Sequence, residues 1–100
     1  MANADHGESC VDVTVPMAAA NTEYSVVLPG QVKAIEFQAR EAVDIRHSFV
    51  NGKVAGSTDP FRTLKSGNVY IKELLWISGP VTLYFASAST SKNVEVRYWL

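Results

Sequence analysis

The chain has 100 residues, 47% of them hydrophobic and 19% charged, with a formal net charge of −1. That length supports one domain around one core. The charge balance lacks the basic excess of a nucleic-acid binder or a polybasic membrane-surface module. The single cysteine, Cys10, rules out a scaffold held by intrachain disulfides.

Residues 1–10 are small and polar, with no periodicity, and read as a flexible arm. Residues 11–100 read as one domain. The first eight residues, Met1 to Glu8, have neither the basic start nor the apolar run of a signal peptide. No apolar stretch reaches the length of a membrane span, about 18 residues. Synthesis in the cytoplasm, with no membrane partner, is the expectation.

From Val11 onward, short runs with period-two alternation are separated by Gly, Pro, Ser and Asn, which is an all-β texture. Val11, Val13 and Val15 share one face of the first run, and Pro16 ends it or marks an edge. Residues 22–28 form the second run, closed by Pro29-Gly30, where a type II turn would put the left-handed residue at Gly30. Residues 33–40 alternate cleanly: Ile35, Phe37 and Ala39 face one way, and Glu36, Gln38 and Arg40 the other. Val43, Ile45, His47 and Phe49 repeat the pattern on one face, so the two runs are expected to pair as a hairpin.

Residues 51–60 make the longest loop, opened by the turn pair Asn51-Gly52. A short strand near 61–64 and a turn at Lys65-Ser66-Gly67-Asn68 follow. Residues 69–77 are apolar with mixed period and read as a strand with a bulge or bend. Val81 to Ala86 reads as a strand buried on nearly both faces, and Val94 to Leu100 closes the chain. About eight short strands at this spacing predict an antiparallel β-sandwich, jelly-roll-like, or a small barrel.

Chemistry-bearing residues are sparse. Asp5, His6, Glu8 and Cys10 lie close together, yet His6 and Cys10 alone fall short of the four ligands of a structural zinc site. His47 has no nucleophile placed beside it and reads as a histidine at the rim of the core with one hydrogen bond. Cys10 has no flanking base and reads as a small apolar residue opening the first strand. No phosphate loop, dinucleotide fingerprint, H-E-x-x-H or G-x-S-x-G pattern occurs. The residues therefore suggest no enzyme, no cofactor and no metal. Alternating charges at Asp44 and Arg46, Arg40 and Glu41, and Glu95 and Arg97 suggest cross-strand ion pairs on outward faces. In Tyr84-Phe85 and Tyr98-Trp99 neighbouring side chains face opposite sides, so one of each pair leaves the main core. Val11, Val13, Val15, Met17, Tyr84, Tyr98 and Trp99 are the candidate partner-binding residues.

The order of motifs from Tyr24 carries a resemblance. Tyr24 precedes Leu28-Pro29, and the strands Phe37 to Arg40 and Val43 to Arg46 follow. Then come the Gly-containing loop 51–60, Leu64-Lys65-Ser66-Gly67, Tyr70, the run Leu83 to Ser87, and Val94-Glu95-Val96 with Trp99. This resembles small virion structural proteins of tailed bacteriophages, specifically head decoration or cement proteins. The resemblance implies a sandwich domain on the outer surface of a capsid, bound across joints of the major capsid protein as a dimer or trimer. Edge strands and residues 1–21 would add strands to neighbours. From the polar, aperiodic arm itself, removal of residues 1–15 is expected to leave the fold intact and weaken partner binding. The alternatives are a virion adhesion or carbohydrate-binding module, with Trp76 or Trp99 as the stacking platform, and a tail or connector component.

Overall fold

A computed structural model describes residues 10–73 and 78–100. The strands are β1 Cys10–Met17, β2 Tyr24–Leu28, β3 Ala34–Ala39, β4 Ile45–Ser48, β5 Arg62–Leu64, β6 Val69–Lys72, β7 Val81–Ala86 and β8 Lys92–Trp99. They form two antiparallel four-stranded sheets, one in the order β1-β8-β3-β6 and the other β2-β7-β4-β5. Successive strands alternate between sheets except β4 and β5, which pair within the second sheet, and β1 and β8 meet side by side in the first. This is the jelly roll, an eight-stranded antiparallel sandwich of two Greek keys.

Alternation puts one face of each strand inside. In the first sheet Val15 and Met17, Ile35 and Phe37, and Val94, Val96 and Tyr98 point inward and are buried. In the second sheet Val26 and Leu28, Ile45, and Leu83 and Phe85 do the same. The two inner faces interdigitate into one core cluster. The longest pairing runs along β1 and β8, from Cys10 opposite Trp99 to Met17 opposite Lys92. Residues 10–17 are thus an integral edge strand. They are paired within their own sheet and are not a free strand donor. The pairing of residues 10–15 with β8 and the place of Val15 in the core argue against the expectation that residues 1–15 can be removed with the fold intact.

The expected hairpin between residues 33–40 and 43–49 does not form. β3 pairs with β8 and β6, whereas β4 pairs with β7 and β5. Residues 40–44 carry the chain from one sheet to the other, so each inner face receives one of the two strands. The corner is pinned by Glu41, whose carboxylate accepts hydrogen bonds from the Asn93 backbone N–H at 2.9 Å and from Asn93 Nδ2 at 3.1 Å. Phe49 also leaves its expected face. Ser48 Oγ donates to the Pro60 carbonyl and accepts from the Val50 N–H, which turns the chain where β4 ends. Phe49 emerges 51% exposed.

The turn after β2 is shifted by one residue from the expected one. Gln31, not Gly30, takes the left-handed backbone, with φ 71°. Gly30 meets a different demand: a Cβ there would lie 3.4 Å from Gly79 Cα, so it lets two backbone segments approach closely. Gly52 and Gly67 do occupy left-handed positions in the two turns expected of them.

The 51–60 loop lies over the outer face of the second sheet. Arg46, on that face, donates to Ser57 Oγ and to Asn21 Oδ1, and the Gly52 N–H donates to Glu23. Val54 is fully buried yet stands outside the sandwich core. Ala86 and Ser48 point outward from the second sheet and are buried all the same, which is the footprint of the loop above them.

Candidate functional site

Five of the seven sequence-predicted contact residues come together on the inner face of β1 and β8, where Val11 stands opposite Tyr98, and the other two lie apart on outer faces. Val15, Met17 and Tyr98 are in the core, and Val11 and Val13 pack against it half-buried. Tyr84 lies on the outer face of the second sheet, between Ser25 and Ser48. Trp99 lies on the outer face of the first, between Cys10 and Ala34. Trp76 falls outside the described residues, as do Asp5, His6 and Glu8. Among the described residues no group of three His, Cys, Asp or Glu side chains could hold a metal. Cys10 opens β1 as expected, but it is exposed.

The outer face of the first sheet is a charge ladder. Arg97 holds Asp12 with Nε 2.6 Å from Oδ1 and Nη2 3.2 Å from Oδ2, and its Nη1 stands 3.9 Å from Glu36. Glu95 accepts from Gln38 at 3.0 Å and from Arg40 at 2.9 Å. The expected outward ion pairing of Glu95 and Arg97 is present, with partners on β3 and β1. Arg40 pairs with Glu95 instead of its chain neighbour, and Asp44 pairs with Lys65. Each such pair is solvent-exposed and contributes little by itself.

These bonds lower several carboxyl pKa values. Asp12 is lowered by its hydrogen bond from Arg97, Glu95 by those from Gln38 and then Arg40, and Glu41 by the Asn93 backbone N–H and then its side chain. A carboxyl whose native pKa lies below its unfolded value adds stability above the unfolded value. That stability is lost as pH falls through the native value.

The most distinctive environment is at the side of the sandwich where edge strands β5 and β6 face each other. His47 on β4 and Phe37 on β3 point inward from opposite sheets, with ring centroids 4.9 Å apart and planes at 75°. Tyr70 on β6 stacks on Phe37 at 4.8 Å and meets His47 edge-on at 5.4 Å. Phe85 closes the box against Phe37 at 5.1 Å. His47 is 8% exposed, and its imidazole has no hydrogen-bond partner among the described residues. Burial lowers its pKa, and the charge of Arg62, its cross-strand neighbour, lowers it further. The ring is therefore neutral at pH 7.

His47 and Tyr70 line an open cavity of about 340 Å³. Its apolar walls are Phe49, Val50, Pro60 and Phe61, and Arg62 stands in its lining. Val50 is 43% exposed. On the outward face of β6, Val69 and Ile71 are 44% and 54% exposed. Exposed apolar side chains thus flank the β5–β6 side on two surfaces: Phe49 and Val50 at the cavity, and Val69 and Ile71 on the outer face of the first sheet; Val27, 56% exposed, stands apart on β2. Sequence reasoning missed them. The available signal was Phe49-Val50 directly before the Asn51-Gly52 turn: two consecutive apolar residues at a strand end cannot both face the core.

The pKa directions give a pH prediction. Thermal stability is expected to fall in two stages on acidification. The first begins near pH 6.5, the ordinary value for histidine, because the unfolded chain then binds a proton that native His47 refuses. The second begins near pH 4.5 and reflects Glu41, Glu95 and Asp12. Melting temperatures from pH 8 to 3 measure both, and His47→Gln should remove or flatten the upper stage. A midpoint constant from pH 7 to 5 would contradict the buried neutral histidine.

No family model and no curated protein matches the chain. Among solved structures, the chain is similar to the solution NMR structure of a de novo designed double-stranded β-helix. The TM-score is 0.53 at 20% sequence identity, over 92% of this chain and 99% of that one. At that identity the likeness concerns the fold alone, and it agrees with the two-sheet architecture described above. The protein is an all-β, jelly-roll-type sandwich.

Proposed function

We propose that this chain is a non-catalytic virion protein that decorates and stabilises a bacteriophage head, bound to the major capsid protein across subunit joints. The observation that carries the reading is the set of exposed apolar side chains at the β5–β6 side: Phe49, Val50, Val69 and Ile71. They stand on a scaffold whose outer strands β1, β6, β2 and β5 each have one open edge among the described residues. Exposed apolar surface beside sheet edges suits protein–protein contact, through burial and strand addition together. The jelly roll is an architecture that viral capsid domains use, and the motif order from Tyr24 to Trp99 resembles decoration proteins. Binding to the assembled shell and not to free subunits would shift assembly by mass action, and many copies would act together. A dimer or trimer of this chain would suit sites where several capsid subunits meet.

The test is co-sedimentation of purified protein with undecorated phage capsids, scored for stoichiometry and for heat resistance of the shell. Saturation at a fixed ratio per capsid subunit, with a raised disruption temperature, is the expected result. Absence of binding would transfer the assignment to an adhesion or carbohydrate-binding module, or to a tail component. Phe49→Ser with Val69→Ser should weaken capsid binding at least tenfold and leave the melting temperature within a few degrees, since surface substitutions change stability little.

A further inference from the structure

We propose that the cavity between β5 and β6 is a binding site for a small aromatic carboxylic acid carrying a hydroxyl group on its ring. Three features of the cavity carry the proposal, and the site is that of the free chain, since Phe49 and Val50 also belong to the surface proposed above for capsid contact.

The first is its apolar part. Phe49, Val50, Pro60 and Phe61 form walls around about 340 Å³ of space, near the lower end of small-ligand sites and ample for one substituted ring. Phe49 and Val50 are about half exposed without a ligand, so covering them is favourable. Aromatic rings dominate the lining, which favours a flat aromatic body over a flexible aliphatic one.

The second is His47. The residue as a whole is 8% exposed, it lines the cavity, and its imidazole makes no hydrogen bond to any described residue. Buried polar side chains are nearly always satisfied, so an unpartnered one facing a cavity marks where a ligand or solvent atom belongs. Phe37, Tyr70 and Phe85 pack around this end of the site and offer the ring no strong partner. A neutral imidazole has one donor and one acceptor nitrogen, and a phenolic hydroxyl can engage either. Ser48 is not a competitor, because its hydroxyl is already used by Pro60 and Val50.

The third is charge. Arg62 is exposed, lines the same cavity and makes no ion pair among the described residues. No carboxylate lines the cavity among those residues. An anion entering it meets a free guanidinium and no opposing charge, and a carboxylate can take that fork in a bidentate way. Arg62 lies directly across the strand pair from His47, so the two polar groups belong to one site. The ligand's carboxylate meets Arg62, its ring lies against Phe49 and Phe61, and its hydroxyl reaches His47.

The probe is 4-hydroxyphenylacetate, titrated into the full chain at pH 7 and followed by calorimetry and by the NMR signals of the His47 ring. Saturable binding at one site per chain is expected, with shifts of the His47 ring protons. Phenylacetate should bind several-fold more weakly for want of the hydroxyl. The neutral 4-hydroxyphenylacetamide and the Arg62→Gln variant should each weaken binding about tenfold or more, as the loss of a charge-assisted hydrogen bond requires. Arg62 is exposed, so its substitution leaves the fold intact. No shift of the His47 ring at millimolar probe, or equal affinity in Arg62→Gln, would overturn the proposal.

Discussion

Phe37→Ala is expected to lower the unfolding free energy by about 3–5 kcal/mol, the cost of truncating a well-packed aromatic residue. Phe37 is 1% exposed on β3, an interior strand hydrogen-bonded on both sides, to β8 and to β6. Its ring meets Tyr70 from the same sheet and His47 and Phe85 from the other, so it couples the two layers. The cavity left by truncation cannot close easily. β3 is fixed in register by Val96 on one side and Tyr70 on the other, and the three remaining rings are held by their own strands. Of the three rings lining the void only the His47 imidazole could reward an entering water, so most of the lost transfer and dispersion energy stays uncompensated. A domain of this size has about 5–15 kcal/mol in total, so the variant would lose a large share of its stability. Urea unfolding of the wild-type and variant chains measures the difference. Phe61→Ala is the companion: half-buried beside β5, it should cost clearly less. A loss under about 1 kcal/mol at Phe37 would mean that β3 turns its other face inward.

What alternation reveals is the face of a strand, not its neighbour. The inward set Ile35 and Phe37 follows from the period-two pattern, and the structure buries it. Pairing did not follow from the pattern. A jelly roll places β1 beside β8 and separates β3 from β4, although the short link 40–44 invites a hairpin reading. The same limit explains why most of the contact candidates lie on the inner face of β1 and β8. Val11, Val13, Val15, Met17 and Tyr98 looked available for a partner because each is apolar on a short strand. A strand's apolar face is claimed first by its own sandwich, and here the facing sheet takes it. The side chains left exposed are those that strand geometry releases. Phe49 and Val50 lie just beyond the end of β4. Val69 and Ile71 flank Tyr70, which turns inward and sends both neighbours outward. The cavity was less legible still, because His47, Phe61, Arg62 and Tyr70 come from separate segments whose juxtaposition depends on the pairing of β4 with β5 and of β3 with β6.

A chain beginning at Pro16 is expected to lose the native fold. Only Pro16 and Met17 of β1 would remain, opposite Asn93 and Lys92, and the ladder from Cys10 to Val15 along β8 would vanish. Val15 would leave the core, and Val11 and Val13 would leave its margin. Full burial of one valine contributes about 1.5–3 kcal/mol, so three of them, even partly buried, approach the stability of a small domain. The damage extends beyond the missing side chains. β8 would become an edge, and Val94, Val96 and Tyr98, now at most 9% exposed, would lose cover on that side. A long apolar edge of that kind also invites association between chains. Far-UV circular dichroism and urea unfolding should show a non-cooperative or aggregating species. Val15→Asp in the full-length chain isolates the strand's own contribution: it keeps every residue before Pro16 and places an unpaired charge in the core, a change that should cost several kcal/mol. Cooperative unfolding of the truncated chain within about 5 °C of the full-length midpoint, a shift of roughly 1 kcal/mol for a domain of this size, would show that β1 is dispensable. It would then be free, as an added strand, to reach a neighbouring subunit.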